Sequence, residues 1–254
     1  MPSQEPTLML RDVVVRGFLA WDSSIPDGRL QNSRYRSTQL VLQRNYRRAV
    51  GLWSTAEAAV DAADERARQI HHNQRLTDEA RADATREVVA SEGGNAREAA
   101  EEIRQLVDAS AERLRATMLP PRPQPADAAQ EAALANLRSD VAMVLDRLSA
   151  NEVPERMEAM VREANDEGDA LSRWFLVATP WAKRYLESRG AELAGWSNRL
   201  PRIVAAVGDD LEEARAMHRV LETLESPKGM LGAVSALDHW IKARLDGASM
   251  RLAA

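Results

Sequence analysis

From Arg29 to Ala56 the chain carries six arginines (Arg29, Arg34, Arg36, Arg44, Arg47, Arg48) and no acidic residue, with Tyr35, Tyr46 and Trp53 set among them. Guanidinium groups beside aromatic rings have two chemical uses. They hold phosphates while the rings stack on bases, or they dock on an acidic protein surface. A third reading leaves the arginines to solvate a helix whose aromatics belong to its packed stripe. Arg34, Arg36, Arg44, Arg47 and Arg48 are therefore the candidate partner-binding residues, with protein docking ahead of nucleic acid. The formal net charge of −5 points away from a dedicated nucleic-acid binder.

Little else in the chain has the spacing of a reactive site. The histidines are His71, His72, His218 and His239, and no His-Glu-x-x-His zinc pattern occurs. His71-His72 falls in an expected loop, where adjacent side chains point apart, and reads as a solvated turn. There is no Gly-x-x-x-x-Gly-Lys phosphate loop, no Gly-x-Gly-x-x-Gly and no Gly-x-Ser-x-Gly elbow. Acid pairs such as Glu101-Glu102, Asp209-Asp210 and Glu212-Glu213 sit among arginines, as on a solvated helix face with ion pairs four residues apart. Cysteine is absent, which removes disulfides and thiol chemistry. The expectation is a protein that is not an enzyme, with no cofactor and no metal.

The elements that would carry the arginines are long helices. Leu42, Tyr46, Ala49, Trp53, Ala56, Val60, Ala63, Ala67 and Ile70 recur at steps of four and three, one narrow stripe turned towards a partner helix. Ser33 is the expected cap of this helix, which should reach about Asn73. Thr77-Asp78-Glu79 then opens a second helix to about Met118, with threonine as cap and acids in its first turn. Its stripe includes Ile103, Val107 and Leu114. Gly93-Gly94 in its middle predicts a kink or a break, since each glycine costs about 1 kcal/mol inside a helix. Two rods joined by a short polar loop make an antiparallel helical hairpin, coiled-coil-like in its spacing.

Residues 1–32 read differently. Leu8 to Leu10 and Val13 to Val15 have strand composition, Gly17 interrupts, and Pro26-Asp27-Gly28 is a turn signal. An extended or β-prone arm is expected there, folded back on its own helices or added to a neighbouring subunit. Four prolines between Pro120 and Pro125 end the hairpin and stiffen a linker over 120–126. Residues 127–254 then read as a C-terminal domain of shorter helices, holding Trp174, Trp181, Trp196 and Trp240 as core or as partner anchors. The domain plan is an arm at 1–32, a hairpin at 33–119, the linker, and this bundle. The fold class is all-α.

Length and composition allow a real core: 254 residues, 44% of them hydrophobic but only 4% aromatic. No run of about 18 apolar residues predicts a membrane span. Met1-Pro2-Ser3-Gln4-Glu5-Pro6 leads into no apolar core of the kind a secretory signal needs. Only Lys183, Lys228 and Lys242 among the 34 basic residues are lysine, a bias that fits a GC-rich coding genome of a bacterium or its phage.

The order of parts resembles a group of helical proteins encoded in tailed-phage head-morphogenesis modules. The matching pieces are Arg34-Tyr35-Arg36, Leu76-Thr77-Asp78-Glu79-Ala80-Arg81, the Leu119 to Pro125 linker and Gly168-Asp169-Ala170-Leu171. The resemblance is one of layout and composition over roughly residues 33–200. It implies a structural or assembly protein, in the virion or the host cytoplasm, acting in several copies on capsid, portal or tail subunits. It supplies no functional residue. The alternatives are a cellular coiled-coil adaptor and a nucleic-acid-associated regulator that uses the Arg29–Arg48 stretch.

Overall fold

A computed structural model describes residues 5–124, 127–191 and 211–250. Among the described residues all regular structure is helical: α1 (Glu5–Ser24), α2 (Ser33–His72), α3 (Asp78–Met118), α4 (Ala128–Leu145), α5 (Val153–Asp166), α6 (Ala170–Ala178), α7 (Pro180–Ser188), α8 (Leu211–Glu225) and α9 (Met230–Met250). None of the helices is long and apolar enough to cross a membrane. Trp196, Asp209-Asp210 and the expected helix start at Val204 lie outside the described residues.

The N-terminus differs from the expected extended or β-prone arm. The stretch read as strand-like is the 20-residue helix α1. Val14, Phe18 and Trp21 are its large buried residues, and Ile25 just past its end continues the spacing of four, three and four, which is a helical stripe. The branched Val13 to Val15 run suggests a strand on composition alone, and tertiary packing overrides that propensity. The partner of α1 is α9, at the far end of the chain. Gly17 lets the two backbones meet: a Cβ built on it would lie 2.3 Å from Ala233 Cβ and 3.1 Å from the Gly229 carbonyl oxygen.

The chain divides into two compact units. One comprises the described parts of 1–29, 36–113 and 219–254. Here the long helices pack on each other and on α1 and α9. Trp53 of α2 meets Trp240 of α9 at 5.1 Å between ring centroids, and Trp21 of α1 sits edge-on to Tyr46 of α2 at 5.6 Å. Arg244 of α9 reaches Asp61 at 2.7 Å and Asp64 at 3.4 Å on α2. The final helix thus packs with the long helices, although the sequence places it in a C-terminal bundle. Its apolar face, Ala233, Leu237, Trp240, Ile241 and Leu245, is buried here.

Side-chain pairs between α2 and α3 have numbers that run in opposite directions, among them Asn45 Nδ2 to Ser110 Oγ (3.0 Å), Arg48 to Glu102, and Arg66 to Glu92 (2.5 Å). Of the kink or break expected at Gly93-Gly94, the break does not occur: α3 continues through both glycines. Gly93 is buried against Leu245, whose Cδ1 would lie 2.7 Å from a Cβ there, so close packing offsets the poor propensity. Thr77 does cap α3, accepting from the Ala80 N–H at 3.2 Å. The cap of α2 is Asn32 rather than Ser33, with Oδ1 accepting from the Arg34 N–H at 2.9 Å. Gln39 closes the α1–α2 loop by donating to the Pro26 and Gly28 carbonyls at 2.6 and 2.7 Å.

The second unit comprises the described parts of 30–35 and 114–218. Three of its short helices, α4, α6 and α7, begin on side-chain caps. Asp127 accepts from Gln130 N–H, Asp169 from Leu171 and Ser172 N–H, and Thr179 from Trp181 N–H, with Pro180 in the first turn. Helices α5 and α7 end on Gly168 (φ 70°) and Gly190 (φ 66°). The N–H groups of Asp169 and Ala191 reach back to Ala164 O and Leu186 O at 2.7 and 3.0 Å, six-to-one bonds that left-handed glycines permit.

Candidate partner-binding surfaces

Most of the stripe residues are shielded from solvent. Leu42, Ala49, Trp53, Ala56, Val60, Ala63 and Ala67 on α2, and Ile103, Val107 and Leu114 on α3, are buried. Tyr46 and Ile70 are half-buried. Burial lifts the Tyr46 hydroxyl above its ordinary value, with the Asp22 charge adding to it.

The five candidate arginines separate into different roles. Arg34 donates to the carbonyl oxygens of Ala116 (2.8 Å) and Leu119, covering the open end of α3. Arg36 is half-buried. Arg48 is paired with Glu102. Arg44 and Arg47 are exposed and make no ion pair among the described residues. They follow Leu40, itself 61% exposed, at steps of four and three. Leu40, Arg44 and Arg47 therefore share one outward face of α2, a basic strip beginning on an apolar side chain.

The interleaved aromatics are not part of that strip. Tyr35 is buried, Tyr46 lies against Trp21, and Trp53 lies against Trp240. None is presented to solvent as a platform for bases, so the arrangement fits docking on carboxylates better than gripping nucleic acid.

The second unit contains a site that linear spacing does not show. A cleft of about 410 Å³ opens between one face of α4 and the corner of α6 and α7. Glu131, Leu134, Ala135 and Arg138 line the α4 side, a three-four register on a single helix face. Trp174, Phe175 and Trp181 form the opposite wall, with Arg122 and Arg184 on its border. The Arg122 guanidinium lies 5.3 Å from the centre of the Trp174 ring and pairs with Glu131. Trp181 stacks on Tyr185 at 5.0 Å and meets Phe175 at 4.9 Å. Beyond the stack, Tyr185 donates to Asp146 Oδ1 at 2.5 Å. Burial of the phenol, then that hydrogen bond and the carboxylate charge, push its pKa up to about 12. The sequence signal for this cleft is the tryptophan clustering of the C-terminal third, which leaves core and partner surface undivided.

His71 and His72 close the last turn of α2 with their rings 5.5 Å apart, so the expected loop with divergent side chains is not what forms. No group of three or more His, Asp or Glu side chains placed to hold a metal occurs among the described residues. No protein-family model matches the chain, and neither does any curated protein or solved structure.

Proposed function

We propose that this chain is a structural or assembly protein of a tailed-phage virion, working through protein–protein contacts and not as an enzyme. In this reading α2 and α3 form an antiparallel hairpin. Their polar contacts run in reverse order, and 40 residues of α2 span about 60 Å at 1.5 Å per residue. The observation that carries the reading is the outward strip Leu40, Arg44 and Arg47 on that helix. Two cations without an ion-pair partner among the described residues, next to an exposed leucine, suit an acidic subunit surface with an apolar anchor point. The choice of a virion over a cellular adaptor rests on the layout resemblance alone. Several copies, each offering one strip, would bind a repeated shell, portal or tail subunit.

Mass spectrometry of purified particles of the encoding phage tests the assignment. The expected result is this chain in particles or in assembly intermediates, and an oligomer by light scattering in solution. A strict monomer that associates with no capsid, portal or tail protein would sink it.

A further inference from the structure

We propose that the cleft between α4 and the α6–α7 corner docks an acidic peptide segment of a partner protein, one that carries an apolar anchor side chain. From the reading above this takes only that the partners are proteins, and it concerns a different surface.

The anchor and the charges have separate seats. Leu134 on the α4 side faces Trp174, Phe175 and Trp181 on the opposite wall to make the apolar seat, and Leu134 and Phe175 are at most 9% exposed. A volume of about 410 Å³ lies in the range of sites that accept one or a few side chains. Three arginines and one glutamate line the opening. Glu131 is already neutralised by Arg122, and Arg122 is held further by Gln130 Oε1 at 3.1 Å. That leaves Arg138 and Arg184, both exposed and in no ion pair among the described residues. The uncompensated charge is therefore positive, and the guanidinium fork matches a carboxylate with two parallel hydrogen bonds. Aromatic wall and arginine rim together are the composition of interface hot spots.

A nucleic acid would satisfy the arginines too, but the rings argue against it. Sequence-tolerant binding of single strands uses successive open aromatic faces. Here Trp181 already has Tyr185 stacked on it with planes 21° apart, and Trp174 already carries the Arg122 guanidinium. A side chain packing on the remaining ring surface and edges needs no open platform.

The test is fluorescence anisotropy on the full chain with three labelled probes. These are a short peptide with one phenylalanine flanked by glutamates, its glutamine counterpart, and an oligothymidylate. The glutamate peptide should bind, and the glutamine peptide should bind at least about tenfold more weakly. R138E/R184E should lose about tenfold or more for the glutamate peptide while keeping its far-UV circular dichroism. R138Q/R184Q, which introduces no new charge, should fall between them and serves if the reversed charges disturb folding. No binding of the glutamate peptide at millimolar concentration overturns the proposal, as does equal binding by wild type and variants. Oligothymidylate binding that the variants lose, without peptide binding, overturns it in favour of a nucleic-acid site. Because Arg44 and Arg47 remain intact in these variants, particle association reads the virion assignment separately.

Discussion

Gly17 and Ala233 stand so close that a Cβ on the glycine would lie 2.3 Å from the Cβ of the alanine. This contact holds α1 against α9 and sets the sign of a substitution. Alanine is the better helix former by about 1 kcal/mol, yet overpacking costs about 1–3 kcal/mol, and a 2.3 Å contact with a Cβ that cannot swing aside takes the upper part of that range, about 2–3 kcal/mol. Gly17→Ala should therefore destabilise the chain by about 1–2 kcal/mol, read as a lower urea midpoint. Gly51→Ala is the control. A Cβ there meets nothing within 4 Å beyond the neighbouring residues and backbone of its own helix, so the propensity gain stands alone and stability should rise by about 0.5–1 kcal/mol. A Gly17→Ala midpoint at or above wild type would show that the two helices are not in this contact.

Asp64 is the most buried acid on α2, its side chain 8% exposed, with Arg68 at 2.9 Å and Arg244 at 3.4 Å. Asp64→Asn keeps the shape and removes the charge that both guanidinium groups face. Breaking a buried pair costs several kcal/mol, but these arginines are 51% and 30% exposed. Solvent screening reduces the expected loss to about 1–3 kcal/mol. Asp61, 68% exposed in its side chain, should lose under about 1 kcal/mol on the same change. Thermal unfolding of the two variants checks the order, and a larger loss at Asp61 would contradict this packing.

That α2 is one long helix with a buried face can be read from spacing, because Leu42 through Ile70 repeat with the period of a helix face; that Tyr46 and Trp53 of this stripe meet Trp21 and Trp240 cannot. The α1 helix cannot be read so directly. Its stripe at Val14, Phe18, Trp21 and Ile25 is present, but the adjacent valines carry strand propensity, and the covering helix lies some 200 residues away. Remoteness likewise hides why Gly93 does not break α3, since Leu245, which packs on it, lies about 150 residues further on. The cleft shows the limit most clearly. Glu131, Leu134, Ala135 and Arg138 are legible as one helix face, whereas bringing Arg122 and Arg184 to that face depends on how α4, α6 and α7 pack. Spacing along one element carries information about that element, and tertiary packing supplies the rest.

Arg34 and Arg44 belong to the same basic stretch and should behave differently. Arg34 donates to Ala116 O and Leu119 O at the end of α3, where a cation also meets the negative end of the helix dipole. Arg34→Met should cost about 1–2 kcal/mol. Arg44→Met, on an exposed face, should change stability by less than about 0.5 kcal/mol. In a co-sedimentation assay with phage particles, Arg44→Met combined with Arg47→Met should weaken association while leaving the melting temperature in place. The opposite pattern, a stable Arg34 variant and an unfolded Arg44 variant, would reverse the roles assigned to them.

Tyr185 should leave a mark on the alkaline limb of stability. Its hydroxyl is pushed up to about 12 by burial first and then by the hydrogen bond to Asp146, while the nearby Arg189 charge works against the shift. An unfolded tyrosine ionises near about 10. The folded state thus prefers the neutral phenol, and the group's contribution is fully present below pH 10. It is lost as pH rises through about 12, because the unfolded chain ionises first and gains stability over that interval. Wild type should accordingly lose stability more steeply than Tyr185→Phe between pH 10 and pH 12. A difference titration of the two proteins in the near-ultraviolet tyrosinate band isolates this hydroxyl from Tyr35 and Tyr46. The expected step lies near 12. A step near 10 would mean that the ring is solvated and the Asp146 bond does not form, and the stack of Tyr185 on Trp181 beside the cleft would fall with it.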